Sequence, residues 1–340
     1  MNRRFVICTC LGIGLFLGAV TFIWNYFSSG KSALAYYESG LAKARKGDIA
    51  NAIADYDHAI EFSPQYCLAY ISRGDAKCKR GDWNGATEDY SRAIEIDSRQ
   101  YSAFNGRGYA KENGGDLDGA IAEFSRALEI NPNYAKAFNN RGWARDAKGD
   151  IDGAIADYNH AIEFDPKNSN FYSNRGLART KMGDLDGAIA DYNKAIEFDA
   201  KNDGAYNNRG VARARKGDFY GAVADATSAI AINPGFTLAY NFRGEIKYKL
   251  GDLDGALHDI DVAVKLDPNL AIALSNRGRM MADKGDYESA ISDCSRAIEI
   301  NPSLAVAYSN RSFARKKIGD QAGADADMAK VRKLDPNFGN

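Results

Sequence analysis

A Gly-Asp dipeptide recurs along this chain at a fixed interval of 34 residues, and no other feature of the sequence constrains the fold as strongly. The copies follow one another without insertion or deletion, although a single irregular loop would have shifted the phase. A constant period of about 20 to 50 residues is typical of chains that stack one supersecondary unit many times. The glycines of the dipeptide are Gly47, Gly81, Gly115, Gly149, Gly183, Gly217, Gly251, Gly285 and Gly319.

Small residues recur at three further positions when each copy is numbered from its first residue. The eighth position is Gly in all copies but the last, which has Ser312, and the twentieth is Ala throughout. The twenty-seventh is Ala except at Val331. Small side chains at these positions allow two antiparallel helices, A and B, to approach closely. The first residues of the copies are Ala33, Cys67, Tyr101, Ala135, Ser169, Asp203, Thr237, Ala271 and Ala305.

The Gly-Asp dipeptide has the chemistry of a junction between two helices. Gly can adopt the left-handed conformation that ends helix A, and the following Asp can cap the N-terminus of helix B. Proline near the end of a copy, as at Pro132 and Pro234, stops helix B. Each copy therefore predicts a helix, a tight turn and a second helix.

This pattern resembles the tetratricopeptide-repeat family, and the match covers residues 33–338. The resemblance implies an all-α, right-handed superhelical solenoid of nine antiparallel helix pairs, in which helix A lines a groove that holds a protein or peptide. Local departures are Ser98 and Ala200 in place of the terminal proline, Ala226 and Cys294 in place of the aromatic residue at position twenty-four, and Arg in place of the usual apolar residue at position seven. The predicted repeats are 33–66, 67–100, 101–134, 135–168, 169–202, 203–236, 237–270, 271–304 and 305–338.

An apolar stretch at residues 5–27 contains no charged side chain and, as a helix, would be about 34 Å long, enough to cross a bilayer. We predict a short cytoplasmic tail at residues 1–4, a transmembrane signal-anchor helix at 5–27 and a linker at 28–32. Because Arg3 and Arg4 precede the stretch, the repeats are expected in the periplasm or another exterior space.

Two alternatives to this topology stay open. Ala33-Leu34-Ala35 has the small-x-small form of a cleavage site, so the array could instead be secreted after signal cleavage. Against this, the apolar run is longer than a usual signal sequence, and cutting after Ala35 would remove the start of the first repeat. The repeats could also face the cytoplasm, which free Cys67 and Cys78 would tolerate.

Charge and composition disfavour several classes of function. The net charge of -1 and the pI near 6.4 give no reason to expect nucleic acid as a partner. The histidines, His58, His160 and His258, and the five cysteines show neither zinc-site spacing nor a bridgeable pair. No nucleophile with a base is recognisable, so we expect no enzymatic activity, no cofactor, no metal and no small-molecule substrate.

Two charged series run through the repeats in register, one of Arg at position seven and one of acidic residues at position twenty-three. We predict a ladder of structural ion pairs whose arginine stems cover the helix interface. The alternative is an anion track, but the acidic series would leave little field for a polyanion. The members are Arg73, Arg107, Arg141, Arg175, Arg209, Arg243, Arg277 and Arg311, and Asp55, Asp89, Glu123, Asp157, Asp191, Asp225, Asp259, Asp293 and Asp327.

Helix A is rich in asparagine at positions five and six, which the resemblance places on the groove. A side-chain amide both donates and accepts, so a row of amides can hold an extended peptide backbone without reading its sequence. This is similar to the asparagine ladder of the protein O-linked sugar transferases that carry such repeats. The alternative is a merely solvated surface. The asparagines are Asn105, Asn139, Asn140, Asn174, Asn207, Asn208, Asn241, Asn276 and Asn310.

Position nine varies most between copies and is where specificity would lie. Tyr109, Trp143 and Leu177 could give three successive repeats an apolar anchor for a partner, although ordinary partial exposure explains them equally well. The sequence as a whole predicts a membrane-anchored scaffold for an extended peptide or protein partner. The alternative is a non-catalytic, substrate-recruiting subunit of an envelope enzyme complex.

Overall fold

The computed structural model describes residues 32–336. Every regular element within that span is an α-helix, and the span contains no strand, so the all-α class is confirmed for the described residues. No helix within the span is long and apolar enough to cross a membrane. The predicted tail and transmembrane helix at residues 1–27 lie outside it.

The helices fall into two units that meet in the chain at Pro166 and Lys167. Within each unit successive helices pack against one another, and the first helices of neighbouring pairs also touch. The first unit contains α1 (residues 32–45), α2 (Ile49–Phe62), α3 (Cys67–Lys79), α4 (Trp83–Ile96), α5 (Tyr101–Asn113), α6 (Leu117–Ile130), α7 (Ala135–Ala147) and α8 (Ile151–Phe164). The second contains α9 (Ser169–Met182), α10 (Leu185–Phe198), α11 (Asp203–Arg215), α12 (Phe219–Ile232), α13 (Thr237–Lys249), α14 (Leu253–Leu266), α15 (Ala271–Asp283), α16 (Tyr287–Ile300), α17 (Ala305–Lys317) and α18 (Gln321–Leu334).

The turn within each helix pair follows the predicted chemistry. Gly183 follows α9 with φ at 86°, a left-handed conformation that L side chains rarely adopt. Asp184 then accepts a hydrogen bond of 3.0 Å from the backbone N–H of Gly187 and so caps α10. The same positive φ and the same Asp cap recur at every such turn of the described residues. The predicted glycine turn with an Asp cap is confirmed.

The eighth-position glycine lies where the two helices of a pair meet. A Cβ atom at Gly142 would lie 2.9 Å from the Tyr158 ring and 3.1 Å from the backbone oxygen of Ala154. Both distances are tighter than an ordinary contact, so any larger residue would push α7 and α8 apart. Ala154 and Ala161, at the twentieth and twenty-seventh positions, are fully buried on the facing helix.

An aromatic ring at position twenty-four fills the space beside that glycine in most repeats, as Tyr158 and Tyr192 do. The sixth repeat has Ala226 at this position. There Phe242, from the first helix of the next repeat, occupies the space, with its ring 3.1 Å from where a Cβ on Gly210 would be. The core is thus rebuilt locally from a different element.

Candidate functional site

The arginine at position seven holds the acidic residue at position twenty-three of its own repeat with two parallel hydrogen bonds. Nε and Nη2 of Arg141 donate to the two carboxylate oxygens of Asp157 at 3.0 and 2.7 Å. Arg145, one helical turn later, donates to the same carboxylate at 2.9 Å. The two-bond geometry recurs in Arg73–Asp89, Arg175–Asp191, Arg209–Asp225, Arg243–Asp259, Arg277–Asp293 and Arg311–Asp327, whereas Arg107 reaches Glu123 through Nη2, and Asp55 pairs with Lys43.

Within each unit, the third nitrogen of the guanidinium reaches the preceding repeat, which the sequence did not indicate. The arginines concerned are Arg73, Arg107, Arg141, Arg209, Arg243, Arg277 and Arg311. Nη1 of Arg141 donates to Oγ of Ser125 at 3.1 Å, and Nη1 of Arg243 donates to Oγ1 of Thr227 at 3.1 Å. The guanidinium of Arg141 also lies 5.5 Å from the centre of the Phe138 ring. One side chain therefore joins the helices of its own pair to the previous pair, and few of its N–H groups are left for a polyanion.

The predicted asparagine series is partly engaged in bonds between neighbouring repeats. The amide at position six donates to position five of the preceding repeat, 35 residues earlier. Asn140 and Asn276 each use one N–H in this way, whereas Asn310 makes two such bonds. These bonds are Asn140 to Asn105 at 3.1 Å, Asn276 to Asn241 at 3.1 Å, and Asn310 to the hydroxyl and backbone oxygens of Ser275 at 3.0 Å.

The asparagines are not equally accessible. Asn105, Asn139, Asn140, Asn174, Asn207, Asn208, Asn276 and Asn310 are half-buried, but Asn241 is only 8% exposed and its amide faces the next repeat rather than solvent. Oδ1 of Asn207 is buried and accepts no hydrogen bond from the described residues. The residue 35 positions later is Phe242, which has no donor to offer.

Three clefts follow one another along the first helices of the first unit. The first, of about 180 Å³, lies between α1 and α3, and the second, of about 390 Å³, between α3 and α5. The third, of about 290 Å³, lies between α5 and α7. Adjacent clefts share residues, because Asp75 and Lys79 border the first two and Tyr109 borders the last two. The first unit therefore carries a continuous series of depressions.

The second cleft contains a carboxylate that is already partnered. Asp75 accepts a hydrogen bond of 2.6 Å from the hydroxyl of Tyr90, and Lys79 lines the same cleft. Burial raises the pKa of Asp75, while the hydroxyl and the nearby lysines oppose that rise. Asp75 occupies the variable position nine of the second repeat, and the sequence offered no reason to expect this hydrogen bond.

The third cleft is lined by Tyr109, Glu112, Asn113, Asn139, Asn140 and Trp143, and we call it the Glu112 cleft. Tyr109 is 43% exposed and Trp143 46% exposed, which places two of the three predicted anchors around one depression. Sequence reasoning missed Glu112. The available signal was position twelve, which is acidic only in the third and fourth repeats, at Glu112 and Asp146.

The second unit presents a different surface. Leu177, the third predicted anchor, lies there on α9 and is 37% exposed. A cleft of about 400 Å³ near the C-terminal end is lined by Tyr248, Arg279, Asp283 and Phe313, among others. Both of these charged side chains contact Tyr248, because its hydroxyl donates to Asp283 and the Arg279 guanidinium lies 4.9 Å from the centre of its ring.

The histidine and cysteine side chains of the described residues are not gathered into a metal-binding group. No group of three or more His, Cys, Asp or Glu side chains in this part of the chain could hold a metal ion. His58, His160 and His258 are all exposed. Cys67, Cys78 and Cys294 are free thiols. Burial raises the pKa of Cys294 to about 12, so its thiolate is scarce at neutral pH.

Family models cover most of the repeat region. Models described as TPR repeat match residues 74–114, 113–145, 147–183 and 176–217. Models described as tetratricopeptide repeat match residues 33–66 and 243–305. A search of curated proteins returned no match.

Solved structures with the same fold share little sequence with this chain. The crystal structure of the APC/C hetero-tetramer Cut9-Hcn1 aligns with a TM-score of 0.64 and 16% identity over 78% of this chain, which spans only 52% of that one. A tetratricopeptide repeat protein from Parabacteroides merdae gives 0.58 and 19%, covering 73% of this chain and 98% of that one. The pilF protein of Pseudomonas aeruginosa gives 0.56 and 17%, covering 62% and 96%. At such identities the likeness shows the fold alone.

Proposed function

This chain belongs to the tetratricopeptide-repeat family, and from that premise we propose that it is a non-catalytic scaffold that binds an extended peptide along the first helices of its repeats. The peptide is either free or an extended segment of a partner protein. The partner contacts side chains that vary between repeats, while the arginine ladder has a structural role and lies outside the contact surface.

The series of three clefts in the first unit is the observation that carries this proposal. Because neighbouring clefts share Asp75, Lys79 and Tyr109, a peptide can pass from one to the next without leaving the surface. Exposed Tyr109 and Trp143 supply the aromatic area that dominates binding hot spots. The second N–H of Asn140 is available to a peptide carbonyl.

Rigid helices favour such binding energetically. Most of the residues that line the clefts stand on α1, α3, α5 and α7. Hydrogen bonds from the ladder arginines, and the hydrogen bond between the side-chain amides of Asn140 and Asn105, hold neighbouring helices in position. A surface formed before binding loses little conformational entropy when a partner arrives. The peptide itself then accounts for most of the ordering cost.

The test uses the full-length chain in detergent and a phage-displayed library of random dodecapeptides. Enriched peptides are synthesised, and their dissociation constants are measured by fluorescence anisotropy. Changing Tyr109 and Trp143 together to Ser is expected to weaken binding at least about tenfold, because two exposed rings are lost from the contact surface.

Tyr220→Ser is the matched control for this experiment. Tyr220 is 80% exposed on α12, outside the clefts of the first unit, so its loss should leave the dissociation constant unchanged. Equal weakening by both variants, or no effect of the double change, would show that peptides bind elsewhere and would remove the proposal.

We also propose that the apolar stretch at residues 5–27 tethers the array to a membrane, with the repeats in the periplasm or another exterior space. Support comes from the length of the uncharged run and from Arg3 and Arg4 ahead of it.

A further inference from the structure

Glu112 is the one carboxylate among the residues that line the Glu112 cleft, and no basic residue lines it. One of its oxygens, Oε2, is buried and accepts no hydrogen bond from the described residues. Each acidic residue of the arginine ladder, in contrast, has a cation in contact. Burying a carboxylate without a partner costs free energy, and a cation that pairs with it offsets that cost.

Asp146, on α7, is an acidic residue close to this region, because its charge and that of Glu112 act on the same Tyr158 hydroxyl on α8. Tyr158 itself is neutral at neutral pH, since its pKa is raised above the ordinary value. After burial, the charges of Asp146 and Glu112 are the main influences that raise the pKa of Tyr158. Burial raises the pKa of Glu112 itself to about 7, with no cation opposing the rise.

Two exposed aromatic side chains complete the cleft. Tyr109 and Trp143 border it, and the faces of tyrosine and tryptophan rings attract cations. The neighbouring cleft is less suited to a cation, because Asp75 already accepts from Tyr90 and Lys79 stands beside it.

We propose that the Glu112 cleft takes one lysine or arginine side chain of the bound peptide, whose cation pairs with the Glu112 carboxylate between Tyr109 and Trp143. This inference rests on the proposed function and adds the chemical class that one cleft selects. The remaining clefts of the series contact the peptide without requiring charge.

The experiment is a double-mutant cycle on the peptides enriched against the full-length chain. Each peptide is resynthesised with its lysine changed to norleucine, which keeps the stem and removes the charge. In the wild-type chain this change is expected to weaken binding by about tenfold. In Glu112→Gln the same change should have almost no effect, because Gln fills the same space without charge.

Binding of the norleucine peptide checks the integrity of the variant. The wild type and Glu112→Gln should bind it with equal affinity if the fold is intact. A lysine effect of the same size in both proteins, or enriched peptides without any basic residue, overturns the inference and leaves the proposed function standing. A library that yields no peptide dependent on Tyr109 and Trp143 overturns both.

The pH dependence supplies a second readout that a structural role would not produce. A bound cation requires ionised Glu112, whose pKa is about 7 in the free chain. The preference for lysine over norleucine should therefore grow as the pH rises from 6 to 8 in the wild type. In Glu112→Gln it should stay constant, and a flat profile in the wild type would contradict the inference.

Discussion

At the scale of single residues, the arginine at position seven shows why its side chain cannot be exchanged for another cation. Arg141 uses Nε and Nη2 on Asp157 and Nη1 on Ser125, so three donors in one plane meet acceptors on two helices. Lysine has a single nitrogen on a flexible stem and cannot span both. The Asp157 side chain is 2% exposed, so losing Arg141 leaves its carboxylate with Arg145 as its remaining cation and almost no solvent.

Arg141→Met is expected to lower the free energy of unfolding by about 3 kcal/mol, since one partner of a buried pair is removed and the other keeps its charge. Urea denaturation followed by circular dichroism measures the change. Arg126→Met is the control, because Arg126 pairs with Glu129 at the surface, where such pairs contribute at most about 1 kcal/mol. Equal losses in the two variants would show that burial of the pair is unimportant.

At the scale of helices, packing at position twenty-four is shared between consecutive repeats. A Cβ at Gly106, on the first helix of the third repeat, would lie 2.5 Å from the Tyr90 ring of the second. The side chain at position six and the aromatic ring at position twenty-four of the preceding repeat therefore cannot both occupy this space. In the sixth and seventh repeats the exchange is complete, because Ala226 vacates the space and Phe242 enters it.

Substitutions at Phe242 and Ala226 test whether the Phe242 ring replaces the missing aromatic residue at position twenty-four. Phe242→Asn alone should cost about 3 kcal/mol by leaving a cavity, and Ala226→Tyr alone should cost about 2 kcal/mol by overpacking against Phe242. The double variant restores the arrangement of the other repeats and offers Asn207 a donor. It should therefore be more stable than the two separate losses predict, by at least about 1 kcal/mol.

Thermal and urea unfolding of the four proteins give the coupling energy. Asn208→Phe is the matched control, because Tyr192 already fills the equivalent space and the new ring should only destabilise. Strict additivity of the two exchanged positions would show that Phe242 does not replace the missing aromatic ring.

At the scale of the whole molecule, repeats that contact mainly their neighbours make stability close to a sum of local terms. The surface residues of one repeat, such as Tyr109 or Trp143, can therefore vary without affecting distant helix pairs. Under the membrane proposal, the location of the array depends on a segment outside the repeats, the apolar stretch at residues 5–27.

The membrane proposal predicts how the chain fractionates in cells. The full-length chain should stay in the membrane pellet after an alkaline carbonate wash, and a chain without residues 1–31 should be released. A soluble product shortened to begin after Ala35 would support cleavage of a signal peptide instead. Protease added to spheroplasts should digest the repeats if they face the exterior, whereas protection would place them in the cytoplasm.

The regular part of the fold could be predicted from the sequence because local chemistry determines it. Glycine at a left-handed turn and Asp at the following cap act within a few residues, so Gly183 and Asp184 predict their junction without tertiary information. The charged series could likewise be placed in register, since positions seven and twenty-three recur together. The solvent exposure of Tyr109 and Trp143 could not be predicted, because a period of 34 residues does not determine how deeply position nine is buried.

The sequence by itself determined the repeat, its two helices and the residues that vary, because each of these depends on spacing along the chain. Only the tertiary structure decided which groups are already partnered. It tied Asn140 to Asn105 and Asp75 to Tyr90, and it left Glu112 without a cation among the described residues. These outcomes depend on distances between different repeats, where burial removes water and leaves the choice of partner to the packing of neighbouring helices.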